Sequence, residues 1–270
     1  MSKVITPGQN AFIQQGRKSA ISTLHKQHYI YQEDEIQLPI IQILDIEHEW
    51  FMPNVQNADG NIITIPDSGS VGGLNLQNLA LTNKPTASTI NGLKSYKGDG
   101  IDDYIEKKIN NFGKSFSGWM IQCVFKYDSS GQNYIFSTAS DSSVNAEGVF
   151  LLYNTVIGRY QISSYDAYGV AKTYTITQAL TNGNNYVVTF GYTGSNLVVY
   201  HNEIKTFENA ITNPFIRPTN TDNLTLLSII REIGTNGFGV TNIGYANFGT
   251  YNEVKLTNNI YTLKALYGIA

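Results

Sequence analysis

The sequence contains one cysteine, four histidines and few charged residues, and these scarcities exclude several kinds of protein. A single cysteine and scattered histidines cannot form a zinc cluster of the usual kind. Cys123 lies in the apolar run WMIQCVFKY, so it is predicted to be a buried and unreactive thiol. A chain of 270 residues buries about three quarters of its unfolded surface, so it needs neither a disulfide nor a structural metal to fold.

Charged residues make up only 14% of the chain, and the net charge is −3 at pH 7. Lysine and arginine form no cluster, which argues against a nucleic-acid partner. No apolar run is long enough to cross a membrane, and the N-terminal segment MSKVITPGQNAFIQQGRKSA lacks the apolar core of a signal peptide. We therefore expect a protein that is made in a cytoplasm, is not exported by the general route and does not insert into a membrane.

Tyrosine, phenylalanine and glycine are plentiful, with 18, 12 and 24 residues respectively. Short apolar runs separated by frequent turns, with almost no helical periodicity, predict an all-β fold, either a sandwich or a barrel. The predicted strands are GWMIQCVFKYD, NYIFSTA, GVFLLYN, GRYQISSY, KTYTITQ, NYVVTFGYT, NLVVYHN, IKTFEN, LTLLSII and TNIGYANFGTYNEVKL. TGSN and HNE are predicted hairpin turns. The last segment, TNNIYTLKALYGIA, predicts a short helix with Ile260, Leu263 and Leu266 on one face and Gly268 as its C-cap.

Residues 1–45 differ in composition and are predicted to form an N-terminal anchoring arm, extended or helical, beside a sandwich domain of residues 46–270. The apolar run EIQLPIIQILDIEHEWF contains Pro39, which favours an edge strand or an extended segment. Such an arm cannot bury its own apolar surface, so we expect it to contact the main domain, another subunit or a larger particle. The candidate anchoring residues follow a loose helical spacing: Phe12, Ile13, Arg17, Ile21 and Leu24.

Four blocks of the sequence resemble the laminin-G-like, concanavalin A-like lectin and glucanase family. They are, in chain order, IPDSGSVGGLNLQNLALTNKPTASTINGLK, YKGDGIDDYIEKKI, ALTNGNNYVVTFGYTGSNLVVYHNEIK and NIGYANFGTYNEVKLTNNIYTLKALYGIA. The resemblance covers about residues 50–270 and implies a concanavalin A-like fold, which is a two-sheet antiparallel jelly-roll sandwich. It also implies that the second block begins a core strand. The layout is similar to that of phage structural proteins, which implies a virion protein.

The acidic stretch YKGDGIDDYIE could be a calcium loop, an active site or a turn. Asp99, Asp102 and Asp103 supply at most part of the six to eight oxygens that calcium requires. We therefore interpret Asp102 and Asp103 as turn-capping side chains and expect no metal or other cofactor, with calcium at these three residues as the weaker alternative. Two departures from the family pattern, Thr193 in the first hairpin turn and Glu203 in the second, also weaken the case for a calcium site.

Glycosidases that resemble this family carry an E-x-D-x-x-E strand motif, and the sequence lacks it. Asp45, Glu47 and Glu49 alternate along one strand face, but they are expected to form a solvated acidic surface outside the sandwich. His201 is expected to be an exposed turn residue. The chain is therefore predicted to be non-catalytic, with a polysaccharide hydrolase or lyase as an alternative.

The candidate glycan-binding residues are Tyr160, Tyr165, Asp166 and Tyr168, because aromatic rings cover sugar faces and polar groups bind hydroxyls. Our functional prediction is a virion appendage, such as a head fibre or capsid decoration. Its arm would dock on capsid or other virion proteins and its sandwich would bind cell-surface polysaccharide, as a homo-oligomer. A bacterial surface lectin is the competing interpretation.

Overall fold

A computed structural model describes residues 46–55, 63–78, 84–110, 117–138, 149–165, 171–211, 221–226, 228–229 and 237–270. The chain divides into two units, Met1–Leu44 and Asp45–Ala270, and all the described residues belong to the second. The candidate anchoring residues of the arm lie outside the described residues, and the arm remains a prediction. Among the described residues, no helix is both long enough and apolar enough to span a membrane.

The described residues form two antiparallel eight-stranded sheets and a small two-stranded sheet. The strands of the first sheet are β1 (His48–Phe51), β4 (Thr86–Ile90), β5 (Leu93–Lys97), β7 (Trp119–Lys126), β12 (Asn185–Tyr192), β13 (Asn196–His201), β14 (Ile204–Ala210) and β18 (Asn242–Thr250). Their order is β14-β13-β12-β7-β18-β5-β4, and β1 also pairs with β18.

The second sheet contains β2 (Thr64–Ile65), β3 (Leu76–Gln77), β6 (Ile105–Asn110), β8 (Asn133–Ser137), β9 (Val149–Asn154), β10 (Arg159–Tyr165), β11 (Ala171–Thr177) and β15 (Thr221–Leu226). Its order is β11-β10-β9-β8-β15-β6-β3-β2. The small sheet pairs β16 (Ser228–Ile229) with β17 (Gly237–Phe238), and a 3-10 turn covers Met52–Asn54. The predicted all-β sandwich is confirmed.

The core lies between the two large sheets, and the burial of β7 explains why its sequence is apolar at every position except Gln122 and Lys126. Trp119, Ile121, Cys123 and Phe125 alternate towards this core, and Cys123 is fully buried as predicted. The intervening residues of β7 are also buried, except Lys126. A strand that is covered on both faces reads as a continuous apolar run.

The C-terminal helix α1 (Glu253–Tyr267) covers the other face of the first sheet and begins four residues before the predicted segment. The side chain of Asn252 caps its N-terminus by accepting a hydrogen bond from the Lys255 N–H at 3.0 Å. Gly268 ends the helix in the left-handed conformation, with φ of 60°, which confirms the predicted C-cap. The buried face includes Tyr267, whereas the predicted Leu266 is only half-buried.

Both predicted hairpin turns are confirmed, and Thr193 and Glu203 each make a hydrogen bond or ion pair there. Thr193 Oγ1 accepts hydrogen bonds from the backbone of the β12–β13 turn, including Asn196 N–H at 3.1 Å. Asn202 adopts a φ of 51° in the β13–β14 turn, which asparagine tolerates better than most residues. Glu203 then forms an ion pair with Lys264 of α1 at 2.6 Å. Thr193 therefore stabilises the β12–β13 turn, and Glu203 connects the β13–β14 turn to α1.

The expectation that Glu49 belongs to a solvated acidic surface outside the sandwich is wrong. Glu49 is 1% exposed and belongs to β1, inside the first sheet. Its carboxylate accepts hydrogen bonds from Tyr245 Oη at 2.9 Å and from Ser68 Oγ at 3.2 Å. Pairing of β1 with β18 buries this acid, and hydrogen-bond donors offset part of the cost of burying it.

Candidate functional site

The acidic stretch near residue 100 forms a closed turn that leads into β6. Asp99 Oδ1 accepts hydrogen bonds from Ile101 N–H at 2.8 Å and from Asp102 N–H at 3.3 Å. Asp103 Oδ2 accepts one from Asp99 N–H at 2.9 Å. Ile105, the first residue of β6, is fully buried. The prediction that this stretch begins a core strand is confirmed, and Asp103 caps the turn as predicted, together with Asp99.

The three carboxylates of this turn lie within 4.8 Å of one another. Asp103 is only 4% exposed, and burial, together with the carboxylates of Asp99 and Asp102, raises its pKa to about 6. One oxygen of Asp103 is already engaged by the backbone, so the turn offers few ligands to a cation that prefers six to eight oxygens. The expectation that no calcium binds here stays a prediction.

A polar cleft of about 270 Å³ lies next to this turn, at one end of the first sheet. Gly98, which begins the turn, donates its N–H to Thr241 O at 3.0 Å, and Thr241 immediately precedes β18. The cleft is lined by Ser88, Lys97, Lys126, Tyr127, Asp128, Asn182, Gly183 and Asn242. These residues come from the middle of β4, from the ends of β5, β7 and β18, and from the loops that follow β7 and precede β12.

Strand register explains how three of these side chains meet. Asn242 of β18 pairs directly with Lys97 of β5 on one side and with Lys126 of β7 on the other. Residues directly opposite one another in an antiparallel sheet project to the same face. The sheet therefore presents a row of ammonium, amide and ammonium groups.

The side-chain amide of Asn242 makes a hydrogen bond through its nitrogen but not through its oxygen. This residue is 4% exposed, and its Nδ2 donates to Ser88 Oγ at 3.0 Å. Its Oδ1 is buried and has no hydrogen-bond partner among the described residues. A buried acceptor without a donor costs about 1–3 kcal/mol.

The two lysines of the cleft differ in their electrostatic environment. Lys97 Nζ lies 2.5 Å from Asp128 Oδ2. Burial acts to raise the pKa of Asp128, but hydrogen bonds from Lys97 and Ser130 outweigh it and lower that pKa to about 2. Lys126 has no ion pair within the part of the chain that the structure describes. The lining residues therefore carry one surplus positive charge.

The predicted glycan-binding residues are not brought together in the described structure. Tyr160 is fully buried and its Oη lies 3.1 Å from His201 Nδ1, so its ring cannot cover a sugar, and this assignment is corrected. Tyr165 is the last residue of β10 and pairs with Ala171. Asp166 and Tyr168 lie outside the described residues.

The expectation of an exposed His201 is also wrong. His201 is 7% exposed, and its ring lies 5.0 Å from the ring of Tyr186, measured between centroids. Burial lowers the pKa of His201 to about 4, against a smaller opposing effect of Glu203. The strand end is covered because β10 of the second sheet places Tyr160 against it.

Sequence reasoning missed the cleft, although a local signal was present. Two apolar strands end in a lysine that is followed two residues later by an aspartate, in YKGD and FKYD. The structure places both lysines beside Asn242. Which strands neighbour each other is not encoded in these short motifs, so the convergence required the fold.

The sequence matches no protein-family profile, and no curated protein matches it. The fold is similar to the binding domain of botulinum neurotoxin serotype G, with a TM-score of 0.55, 12% identity, and coverage of 83% of this chain and 54% of that chain. The fold is also similar to the ligand-binding domain of botulinum neurotoxin serotype D in complex with N-acetylneuraminic acid. The TM-score is 0.55 and the identity 11%, with coverage of 81% of this chain and 51% of that chain. Trypanosoma rangeli sialidase in complex with sialic acid matches with a TM-score of 0.55 and 9% identity. The match covers 82% of this chain and 33% of the sialidase chain.

The chain thus spans about half the length of the two toxin chains and a third of the sialidase chain. At these identities the similarity establishes the architecture, an all-β sandwich shared by toxin binding domains and a sialidase. Fold similarity of this kind does not transfer a site, because unrelated functions occupy the same scaffold.

Proposed function

We propose that residues 46–270 form a non-catalytic domain that binds glycans. The observation that carries this proposal is the cleft at the end of the first sheet, which is lined mainly by polar side chains, among them two lysines, one aspartate and two asparagines. Sugar hydroxyls act both as donors and as acceptors, and the Lys97–Asp128 pair offers one group of each kind. Two chains that share this architecture over part of their length were solved in complex with sialic acids, which supports the choice of ligand class.

The arrangement of acids supports a binding role over hydrolysis. A glycosidase needs two carboxyl groups that flank the scissile bond. Asp99 and Asp103 are close enough to one another, but Asp103 is buried and holds the backbone of its own turn. A general acid must lie within hydrogen-bond reach of the leaving oxygen. Incubation with capsular or peptidoglycan fragments is therefore expected to release no new reducing ends, and their appearance would favour the hydrolase or lyase alternative.

The tyrosine-rich segment after β10 is a second place where glycan contacts are predicted. Alanine at both Tyr165 and Tyr168 is expected to weaken glycan binding by about tenfold, because aromatic contacts contribute disproportionately at interfaces. Binding is measured on a glycan array and then by calorimetry on the best ligand. Tyr261→Ala serves as the control, because this tyrosine of α1 is 58% exposed and far along the chain from the segment. Unchanged affinity in the double variant would remove these two residues from the site.

We also propose that residues 1–45 dock the protein on a larger particle, as an arm of a phage appendage. Its apolar and β-branched composition supports this role, since such a segment gains free energy by burial against a partner. Removal of residues 1–45 is expected to abolish recovery of the protein on purified particles, as measured by mass spectrometry. The truncated chain must keep its thermal transition for the comparison to hold. Recovery equal to that of the full chain would exclude docking through the arm and favour a surface lectin.

A further inference from the structure

The cleft at the end of the first sheet has a charge and a shape that narrow the ligand class. We propose that it binds an acidic saccharide, with the carboxylate on Lys126 and hydroxyls on the Lys97–Asp128 pair. This inference rests on the proposed glycan-binding function and adds the chemistry of the preferred sugar.

The first step is the charge of the cleft. Of its two ammonium groups, that of Lys97 is matched by Asp128 at 2.5 Å. The ammonium group of Lys126 has no carboxylate partner among the residues that the structure describes. An anion therefore completes the charge balance, whereas a neutral sugar leaves Lys126 unmatched. Hydrogen bonds between charged groups are about twice as strong as neutral ones, so a carboxylate is the favoured ligand group.

The second step concerns the uncharged hydroxyl groups of the ligand. Asp128 accepts from Lys97 Nζ through Oδ2 and from Ser130 N–H through Oδ1. A carboxylate can accept about four hydrogen bonds, so Asp128 has acceptor capacity to offer a hydroxyl. An inorganic anion such as phosphate or sulfate carries too few donors to satisfy these acceptors at neutral pH. A molecule with both a carboxylate and several hydroxyls satisfies both kinds of group.

The third step is rigidity. Lys97, Asn242 and Lys126 lie on three neighbouring strands, so their backbones are held by the sheet. The loop after β7 is held as well, because Tyr127 N–H donates to Asn184 O at 3.0 Å and Gly183 N–H donates to Tyr127 O at 2.9 Å. Asn182 Oδ1 accepts from Ser129 N–H at 2.9 Å. A site on such elements is formed before the ligand arrives, which lowers the entropy cost of binding.

The fourth step is size. The cleft has a volume of about 270 Å³, just below the range of roughly 300–1,000 Å³ for drug-sized ligands. One sugar residue is therefore the expected occupant, with the remainder of a polysaccharide chain outside. A terminal or side-branch acidic sugar fits this geometry better than an internal residue that is flanked on both sides.

The test compares each acid with its own methyl ester on the full chain. The probes are the methyl glycosides of glucuronic acid and N-acetylneuraminic acid, their methyl esters, and the matched neutral methyl glucoside. Binding is followed by calorimetry and by amide chemical-shift changes. At least one acid is expected to bind about tenfold more tightly than its ester, to weaken as salt is raised, and to shift the amides near Lys126 and Asn242.

Variants then assign the contact. Lys126→Met is expected to reduce the affinity for the acid by about tenfold and to leave the affinity for the ester unchanged. Lys126→Arg keeps the charge and is expected to retain most of the binding. Lys172→Met is the matched control, because this exposed lysine lies on β11 of the second sheet. The comparison of acid with ester uses the wild-type protein, so it tests the proposal even if a variant fails to fold.

The outcomes separate the two proposals. Equal affinity for acid and ester, or full binding of the acid by Lys126→Met, overturns the acidic-sugar assignment and leaves the glycan-binding function standing. If no saccharide binds in these titrations or on a glycan array, both proposals fall. Preference for the acid, lost in Lys126→Met and retained in Lys126→Arg, supports both.

Discussion

Replacement of Gln122 by alanine is expected to lower the free energy of unfolding by about 3–5 kcal/mol. Gln122 lies in the middle of β7, is fully buried, and joins the first sheet to α1. Its Oε1 accepts from Asn247 Nδ2 at 3.0 Å and from Asn259 Nδ2 at 3.1 Å. Its Nε2 donates to Thr189 Oγ1 at 3.1 Å and to Leu256 O at 3.2 Å. Alanine therefore removes four hydrogen bonds and leaves a cavity beneath the helix.

Two further variants separate the hydrogen bonds from the cavity. Gln122→Met keeps the volume and removes the polar contacts, so it is expected to retain most of the destabilisation. Gln77→Ala is the control, because Gln77 is an exposed residue whose side chain donates to Thr64 Oγ1, and it is expected to change stability by less than about 0.5 kcal/mol. Urea denaturation gives the free energies, and amide exchange in α1 reports whether the helix loosens first. A Gln122→Met protein as stable as the wild type would show that this network contributes little.

Acidification is expected to destabilise the protein through His201 by about 3 kcal/mol between pH 6.5 and pH 4. The pKa of His201 is lowered to about 4 in the folded chain, chiefly by burial, and is about 6.5 in the unfolded chain. Above pH 6.5 the histidine is neutral in both states and has no effect on the pH dependence. As the pH falls through that window only the unfolded chain gains the proton, so the folded state loses relative stability. Below pH 4 both states are protonated and the effect levels off.

The measurement is the difference between the wild type and His201→Gln, each unfolded by urea from pH 7 to pH 4. Glutamine carries both a donor and an acceptor, so it can replace the ring nitrogen towards Tyr160 Oη in either role, and it does not titrate. The comparison is needed because Asp103 acts in the opposite direction. Its pKa is raised to about 6, so its contribution is present below pH 4 and is lost as the pH rises through 6. Parallel stability curves for the two proteins would contradict the assignment to His201.

Much of the fold could be predicted because local patterns carry the information. The strand candidates from β7 to β14, both hairpin turns, the C-cap at Gly268 and the burial of Cys123 all follow from alternation, turn residues and apolar runs. The candidate site could not be predicted in the same way. Tyr160 and His201 both looked suited to the surface, and the structure buries them against each other. Glu49 looked solvated until β1 was seen to pair with β18.

The order of polar and apolar residues along this chain was sufficient to determine an all-β sandwich with a terminal helix, because alternation and turn chemistry act over a few neighbouring residues. Only the tertiary structure decided which polar groups meet. Lys97, Lys126 and Asn242 are distant in sequence and become adjacent through strand order and register. That arrangement depends on the packing of the whole sandwich, since a one-residue shift in register would turn each side chain to the opposite face.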